Sequence, residues 1–572
     1  MASDPADVIV RAARLFTGGD PRSASGYPAW SREGPLPDDA PTAVAVAGGR
    51  IAWLGSDADA MAWRGPGTEV VDARGGLVTA GFEDAHVHLA MAARSLAEAD
   101  LTGATSIDAI GVRLREWHAA HPAMGWVVGR GWHYGTFPGG MPDRALLDRL
   151  VPDRPAMLEC FDGHTHWLNS AALAAAGITA TTPDPRHGTI ERDAAGEPTG
   201  ILKEFAHELL DDVTPQPTDD EFDALLRDAL AHARRLGVTG LQDAWTEPAD
   251  LRRFARLRDR DALGLRLRVA TPADESDWRG DLADGRSRWA EALDAYAADL
   301  DRHGADDWLR GGIVKAFADG VVESGTAWML EPYEAADGEA ARGRPTWPPG
   351  ALDAMTSVAT ERGWQVAIHA IGDAAIRAAL HAHEAVSPGA NATPGIHPRV
   401  EHVEFPDPLD VSRFGSLGVI ASIQPTHSLA LPHKHAVREG RIGARVANGW
   451  PTASLLHGGA IVAFGSDWPI ATVDPLRQVH AAVTRRDPDR KDGEAWLPDE
   501  RLTLAEALAC ATWGSAAASG AVGGRGTIAP GMAADLVILD RDVLAGGADA
   551  LLDARVSATI VAGRVVYRAA DR

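Results

Sequence analysis

The sequence predicts a (β/α)8 barrel, an α/β fold, carrying a small β-sandwich built from both chain termini and a large insertion after the first barrel strand. Three observations predict it. Short apolar runs alternate with helix-forming stretches through the middle of the chain, the pattern of parallel strands joined by helices. Each end of the chain carries a hairpin-like pair of apolar runs. The first two apolar runs of the middle are separated from 88 to 237, too far for a single helical crossover.

Near the start, Ala43–Ala47 meets Gly48-Gly49-Arg50 and then Ile51–Gly55. Near the end, Ala558–Val561 meets Ala562-Gly563-Arg564 and then Val565–Tyr567. Both read as β-hairpins with glycine in the turn, and Asp535–Leu539 reads as a further strand. Residues 1–75 and 526–572 are therefore assigned to the β-sandwich, with Gly18–Asp39, rich in Pro, Ser and Gly, as a loop. The barrel is assigned to 76–525. Its candidate strands are Val78–His88, Gly237–Asp243, Gly264–Ala270, Gly311–Phe317, Gln365–His369, Arg399–Glu404, Gly418–Gln424 and Ala460–Asp467. Stretches such as Asp223–Leu236 and Ala374–Ala385 supply the helices, and 100–220 forms the inserted subdomain.

At 572 residues the chain is long enough for more than one domain, and 45% hydrophobic with 24% charged residues is the balance of a soluble globular protein. A net charge of −25 disfavours nucleic acid and anionic membranes as partners. No apolar run is long enough to span a bilayer, and the start lacks a basic stretch followed by an apolar one. The expectation is a cytoplasmic protein acting on a small molecule. Cys160 and Cys510 are the only cysteines, too few for a disulfide framework or a thiolate metal site. Any metal must be held by histidine, carboxylate or modified lysine.

Barrel chemistry sits at the C-terminal ends of the strands. Residues two apart in a strand point the same way, so His86 and His88 aim two imidazoles at one point. Lys315, His369, His402 and Asp467 lie at or near the same end of the fourth, fifth, sixth and eighth candidate strands. One histidine on an apolar face is an ordinary core residue; five strands with ligand-type groups at one end describe a metal site.

The motifs then form an ordered set. They are Gly81-Phe82-Glu83-Asp84-Ala85-His86-Val87-His88, Lys315 with Ala318-Asp319-Gly320, His369-Ala370-Ile371-Gly372-Asp373, Glu401-His402, Gln424-Pro425-Thr426-His427, Gly465–Pro469 and Pro530–Leu536. His164–Leu173 and Gly200–Glu204 add to it within the insertion. This set resembles the amidohydrolase superfamily, most closely its YtcJ-like branch, amidohydrolase family 3. The resemblance implies a metal-dependent hydrolase of amide-type C–N bonds with two divalent ions, zinc before manganese, iron or cobalt. His86, His88 and Asp467 would bind one ion, His369 and His402 the other, and Lys315 would bridge them as a carbamate formed with CO2. A neutral amine bridges two cations poorly, whereas a carbamate offers two oxygens sharing a negative charge. A lysine in an apolar strand is also more easily neutral, as carbamylation needs. Glu204 is the competing bridge, and a buried pair with Asp319 the competing reading of Lys315.

Asp467 would take the proton from the attacking water and pass it to the leaving amine. Trp132, His164, His166 and His427 are expected either to line the substrate pocket or to pack within the insertion or a barrel loop. Asp84 and Asp373 are expected to orient ligating imidazoles or cap helices. A one-metal, deaminase-type hydrolase keeps the same fold without the carbamate. A non-catalytic scaffold would have lost ligands that are all present in this chain. A homodimer is the family-level expectation.

Overall fold

The computed structural model describes residues 5–570 apart from 23–39, 162, 186–187, 274–281, 335–340, 387–395, 430–431 and 490–492. The expected loop at Gly18–Asp39 lies outside the described residues from 23 onward. Eight parallel strands form one sheet in chain order: Phe82–Val87, Val238–Asp243, Arg266–Ala273, Leu309–Phe317, Gln365–Ala370, Arg399–His402, Ile420–Ile423 and Val462–Phe464. The helices between them follow local rules. Asp219–Arg235, for example, begins at a capping box of Thr218 and Glu221, carries acidic residues in its first turn and arginines in its last, and buries Phe222, Leu226, Ala229, Leu230 and Ala233.

The sheet curls until its last strand meets its first. Asp467 N–H donates to His86 O at 2.7 Å, and His88 N–H donates to Trp468 O at 2.8 Å. Gly465 permits this approach: a Cβ there would stand 2.6 Å from His86 Cβ and 2.8 Å from His86 N.

The first candidate strand, Val78–His88, is in fact two. Leu77–Ala80 pairs with Arg14–Phe16 and Leu536–Leu539 in a terminal sheet, and only Phe82–Val87 enters the barrel. The break falls at Gly81, whose N–H donates to Asp535 O and where a Cβ would lie 2.1 Å from Thr239 Oγ1. The boundary assigned at 75/76 therefore moves past Ala80. Both halves are extended and buried, so Gly81 alone marks the break locally.

Both chain ends build the terminal β domain. Arg14–Phe16, Leu77–Ala80, Leu536–Leu539, Val556–Val561 and Arg564–Arg568 form one sheet in that order. Arg50–Gly55, Ala43–Ala47, Val8–Arg11 and Glu69–Asp72 form the other. Val10, Val44 and Val46 of the second pack with Val78, Leu536 and Ile560 of the first. Between the first and second barrel strands lies the insertion, a sheet ordered Gly188–Arg192, Pro198–Glu204, Thr165–Leu168, Ala156–Cys160, Val127–Trp132 and Ala99–Asp100. No helix among the described residues is long and apolar enough to cross a membrane.

Gly465→Ala should lower stability by about 1–3 kcal/mol, since the added methyl must displace main chain of the neighbouring strand. Equilibrium denaturation measures this; an unchanged midpoint would show that the seam tolerates side chains.

Candidate metal centre

The predicted ligands converge at the C-terminal mouth of the barrel. Asp467 Oδ1 lies 3.5 Å from His86 Nε2 and 3.3 Å from His88 Nε2. Donor atoms held about 2.0–2.1 Å from a tetrahedral zinc ion are roughly 3.4 Å apart, so these spacings suit one. One donor atom from each of His86, His402 and Asp467 lies within 4.8 Å of the others. The His402 ring centroid is 4.9 Å from that of His86 and 4.4 Å from that of His369. Lys315 is buried with them, its Nζ 4.2 Å above the Phe317 ring.

Five of these buried atoms have no hydrogen-bond partner: His86 Nε2, His369 Nδ1, His402 Nδ1, Asp467 Oδ1 and Lys315 Nζ. Each such group costs about 1–3 kcal/mol when left unmade. A divalent cation satisfies several at once, so the donor set fits a metal. Burial pushes His86 down to about 4 and His369 and His402 well below the usual imidazole range, which leaves neutral rings with lone pairs to offer. Burial works against the Asp467 anion, but the His88 ring 3.3 Å away and the adjoining imidazoles hold it well below the usual carboxylate range. Burial brings Lys315 down to about 8, with Glu401 and Asp467 opposing.

Above the centre opens a cavity of about 1050 Å³, with His88, His369, His402 and Asp467 on its wall. The amidohydrolase family model matches residues 69–567.

The chain belongs to the amidohydrolase family.

Over 92% of its length it is 34% identical to Protein LONG AFTER FAR-RED 3 of Arabidopsis thaliana, covering 88% of that protein. It is 32% identical to YtcJ of Bacillus subtilis over 88% of this chain and 91% of the relative. It is 30% identical to the N-substituted formamide deformylase of Arthrobacter pascens, over 92% and 94%. Among solved structures, an uncharacterized metal-dependent hydrolase from Pyrococcus horikoshii superposes with a TM-score of 0.68 at 25% identity, over 94% of this chain and 98% of that one. The YtcJ-like resemblance and the barrel fold hold.

In this amidohydrolase the imidazole of His86 is oriented by a residue that sequence reasoning passed over. Its Nδ1 lies 2.7 Å from Glu401 Oε2. A carboxylate accepting Nδ1–H leaves the Nε2 lone pair directed at Asp467, where the candidate ion would sit. Burial opposes the Glu401 anion, but Arg399, 2.8 Å away, and His86 bring it to about 2. The signal was present: a carboxylate in a fully buried strand, directly before His402. Neighbours in a strand face opposite ways; Glu401 meets the far side of the His86 ring, and His402, where the chain turns left-handed (φ 74°), stands among the candidate ligands. Asp467 (φ 58°) and Glu204 (φ 50°) share this backbone, which non-glycine residues adopt where surrounding structure imposes it.

Other expected residues fall elsewhere. Asp84 holds no imidazole; its Oδ1 accepts from the main-chain N–H of Ser466 (2.8 Å) and His86 (3.2 Å), tying the eighth strand's end to the first. Asp373 accepts from Leu330 N–H and Ala374 N–H, anchoring a loop rather than a ligand. Asp319 does not pair with Lys315, because its oxygens accept from the N–H groups of Ile371, Gly372 and Trp328. Glu204 lies 2.7 Å from His164 Nδ1 on the cavity wall.

Of the four expected pocket residues, His164 and His427 line the cavity, whereas Trp132 and His166 do not. Trp132 is fully buried in the core of the insertion and donates Nε1–H to Leu158 O at 2.8 Å. His166 lies behind the wall, stacked on His207 at 4.9 Å. Strand alternation decides this: His166 shares a face with Leu168, which packs into a second core of the insertion.

Glu401→Gln should weaken metal retention by about 10–100-fold, the usual effect of losing a carboxylate behind a ligating histidine. Competition against a chelator reads this directly; wild-type retention would remove Glu401 from the centre.

Proposed function

We propose that this amidohydrolase hydrolyses an amide-type C–N bond of a small molecule in the cytoplasm, an N-formyl or N-acyl amine or a cyclic amide. It would hold two divalent ions, zinc first, with Lys315 as its carbamate among the residues that hold them. The observation that carries the reading is the set of unpartnered buried donor atoms of His86, His369, His402, Asp467 and Lys315 beneath one cavity. The likeness to an N-substituted formamide deformylase supports the choice of bond.

A bound divalent metal would acidify its water far enough to supply hydroxide near neutral pH and would polarise the scissile carbonyl. Asp467 stands on the cavity wall, oriented by His88 at 3.3 Å and held as an anion. It accepts the proton of the attacking water as the new C–O bond forms. It then delivers that proton to the nitrogen as the C–N bond breaks, so that acid and amine leave. Glu401 keeps the His86 ring in one tautomer throughout. Lys315 reacts as the neutral amine, forming an N–C bond to CO2 and releasing one proton. The cavity wall, with His164 and His427, holds the substrate.

A one-ion reading is favoured by one observation, the grouping of His86, His402 and Asp467 around a single position. Lys315 then stays an amine.

Elemental analysis separates the two: about two ions per chain for the bridged centre, one for the alternative. Asp467→Asn should lower kcat by at least about 100-fold with the fold intact, as loss of a general base requires; a fully active variant would falsify the proton-transfer role. A library of N-formyl and N-acyl amines and cyclic amides should yield a turned-over substrate whose hydrolysis stops with chelator. Undiminished hydrolysis after metal removal would overturn the metal-dependent mechanism.

A further inference from the structure

We propose that His402, Glu404 and His427 form a second, outer cation position on the cavity wall, which shares His402 with the inner centre. One donor atom from each of the three lies within 4.8 Å of the others. His402 and Glu404 are buried, His427 is partly exposed, and all three line the cavity. Two imidazoles and a carboxylate are a donor set that zinc takes in catalytic sites, leaving further positions open to water.

The three come from consecutive strand ends. His402 closes the sixth strand, Glu404 follows two residues later, and His427 sits in the turn Pro425–Ser428 after the seventh strand. Their main chain is held in place: Trp450 N–H donates to Glu404 O at 2.7 Å, and Arg438 donates to His427 O at 3.2 Å. The simpler reading is an ordinary Glu404–His427 ion pair. At 3.7 Å from Glu404 Oε1 to His427 Nδ1 the two stop short of a hydrogen bond. His427 Nε2 and His402 Nδ1 are both buried without a hydrogen-bond partner. The nearby Arg438 guanidinium does not repel a cation unopposed, because Glu323 pairs with it at 2.7 Å.

Sharing His402 has a chemical consequence. A neutral imidazole has one lone pair, so His402 serves either the inner group with His86 and Asp467 or the outer group with Glu404 and His427. An ion in the outer position therefore draws His402 away from the inner one. The outer position fills last, holds its ion more weakly, and inhibits when metal is in excess. This rests on the preceding reading only in taking the inner group as the tight site.

The test titrates zinc into the purified holoprotein, with bound metal read by equilibrium dialysis and elemental analysis and hydrolysis followed in parallel. Wild type should bind one equivalent beyond its tight content and lose activity as that equivalent fills. His427→Gln should lose the additional equivalent while keeping the tight content of wild type. Glu404→Gln, nearly isosteric, should behave likewise and guards against misfolding of the histidine variant. Variants that take up the additional zinc as wild type does overturn the outer position, as does a wild type that binds none. Absence of tight metal from every form counts against the inner centre alone; the outer position then stands or falls on the difference between wild type and His427→Gln.

Discussion

The hydrogen bonds that join the eighth barrel strand to the first hold the rest of the site together. Asp467 N–H to His86 O and His88 N–H to Trp468 O bring together residues far apart in the chain. The same two bonds align the two imidazoles with the Asp467 carboxylate. Asp84 reinforces the seam by accepting from Ser466 N–H, and Gly465 lets the main chains approach. The contacts that close the sheet are thus the ones that bring His86, His88 and Asp467 together.

Beneath the ligands the barrel is polar. Glu401 binds His86 and Arg399; Arg399 donates to Gln242 and to Ala85 O; Gln242 donates to Glu83; and Arg525, from the segment leading to the C-terminal strands, pairs with Glu83. Buried charges are tolerated when each is paired and hydrogen-bonded, and removing one member leaves its partner uncompensated. This network runs from the terminal segment to His86 at the candidate metal position. Its physical effect is to fix the rotamer and tautomer of His86 inside a low-dielectric interior, where an unheld ring would cost more and bind less.

The insertion shapes the space above. Its strand Pro198–Glu204 delivers Glu204 to the cavity beside His164, while its aromatic residues, Trp132 and Trp167 among them, fill its own core. It also reaches the seam, because Arg130 donates to the Pro469 carbonyl, two residues beyond Asp467. The subdomain that bounds the substrate space is therefore mechanically tied to the loop carrying the proposed proton carrier.

The order of the barrel strands, the insertion between the first two, the hairpins at the ends and the residues at the strand ends were legible in the sequence. Each rests on local patterns: apolar runs, glycine turns, and ligand-type side chains where an apolar run stops. What the sequence left open are the features set by long-range contact. Gly81 divides one extended run between two sheets because Thr239, distant in sequence, leaves no room for a side chain and Asp535 O takes its N–H. Trp132 and His166 turn inward because strand parity and the cores of the insertion decide their faces, although their composition suits a pocket. Glu401 meets His86 while the adjacent His402 joins the candidate ligands, with a left-handed backbone at His402. The sequence by itself determined which chemical groups stand at the ends of which strands, since that depends on local periodicity. Tertiary structure decided which of those groups face one another, because closure of the sheet sets their distances.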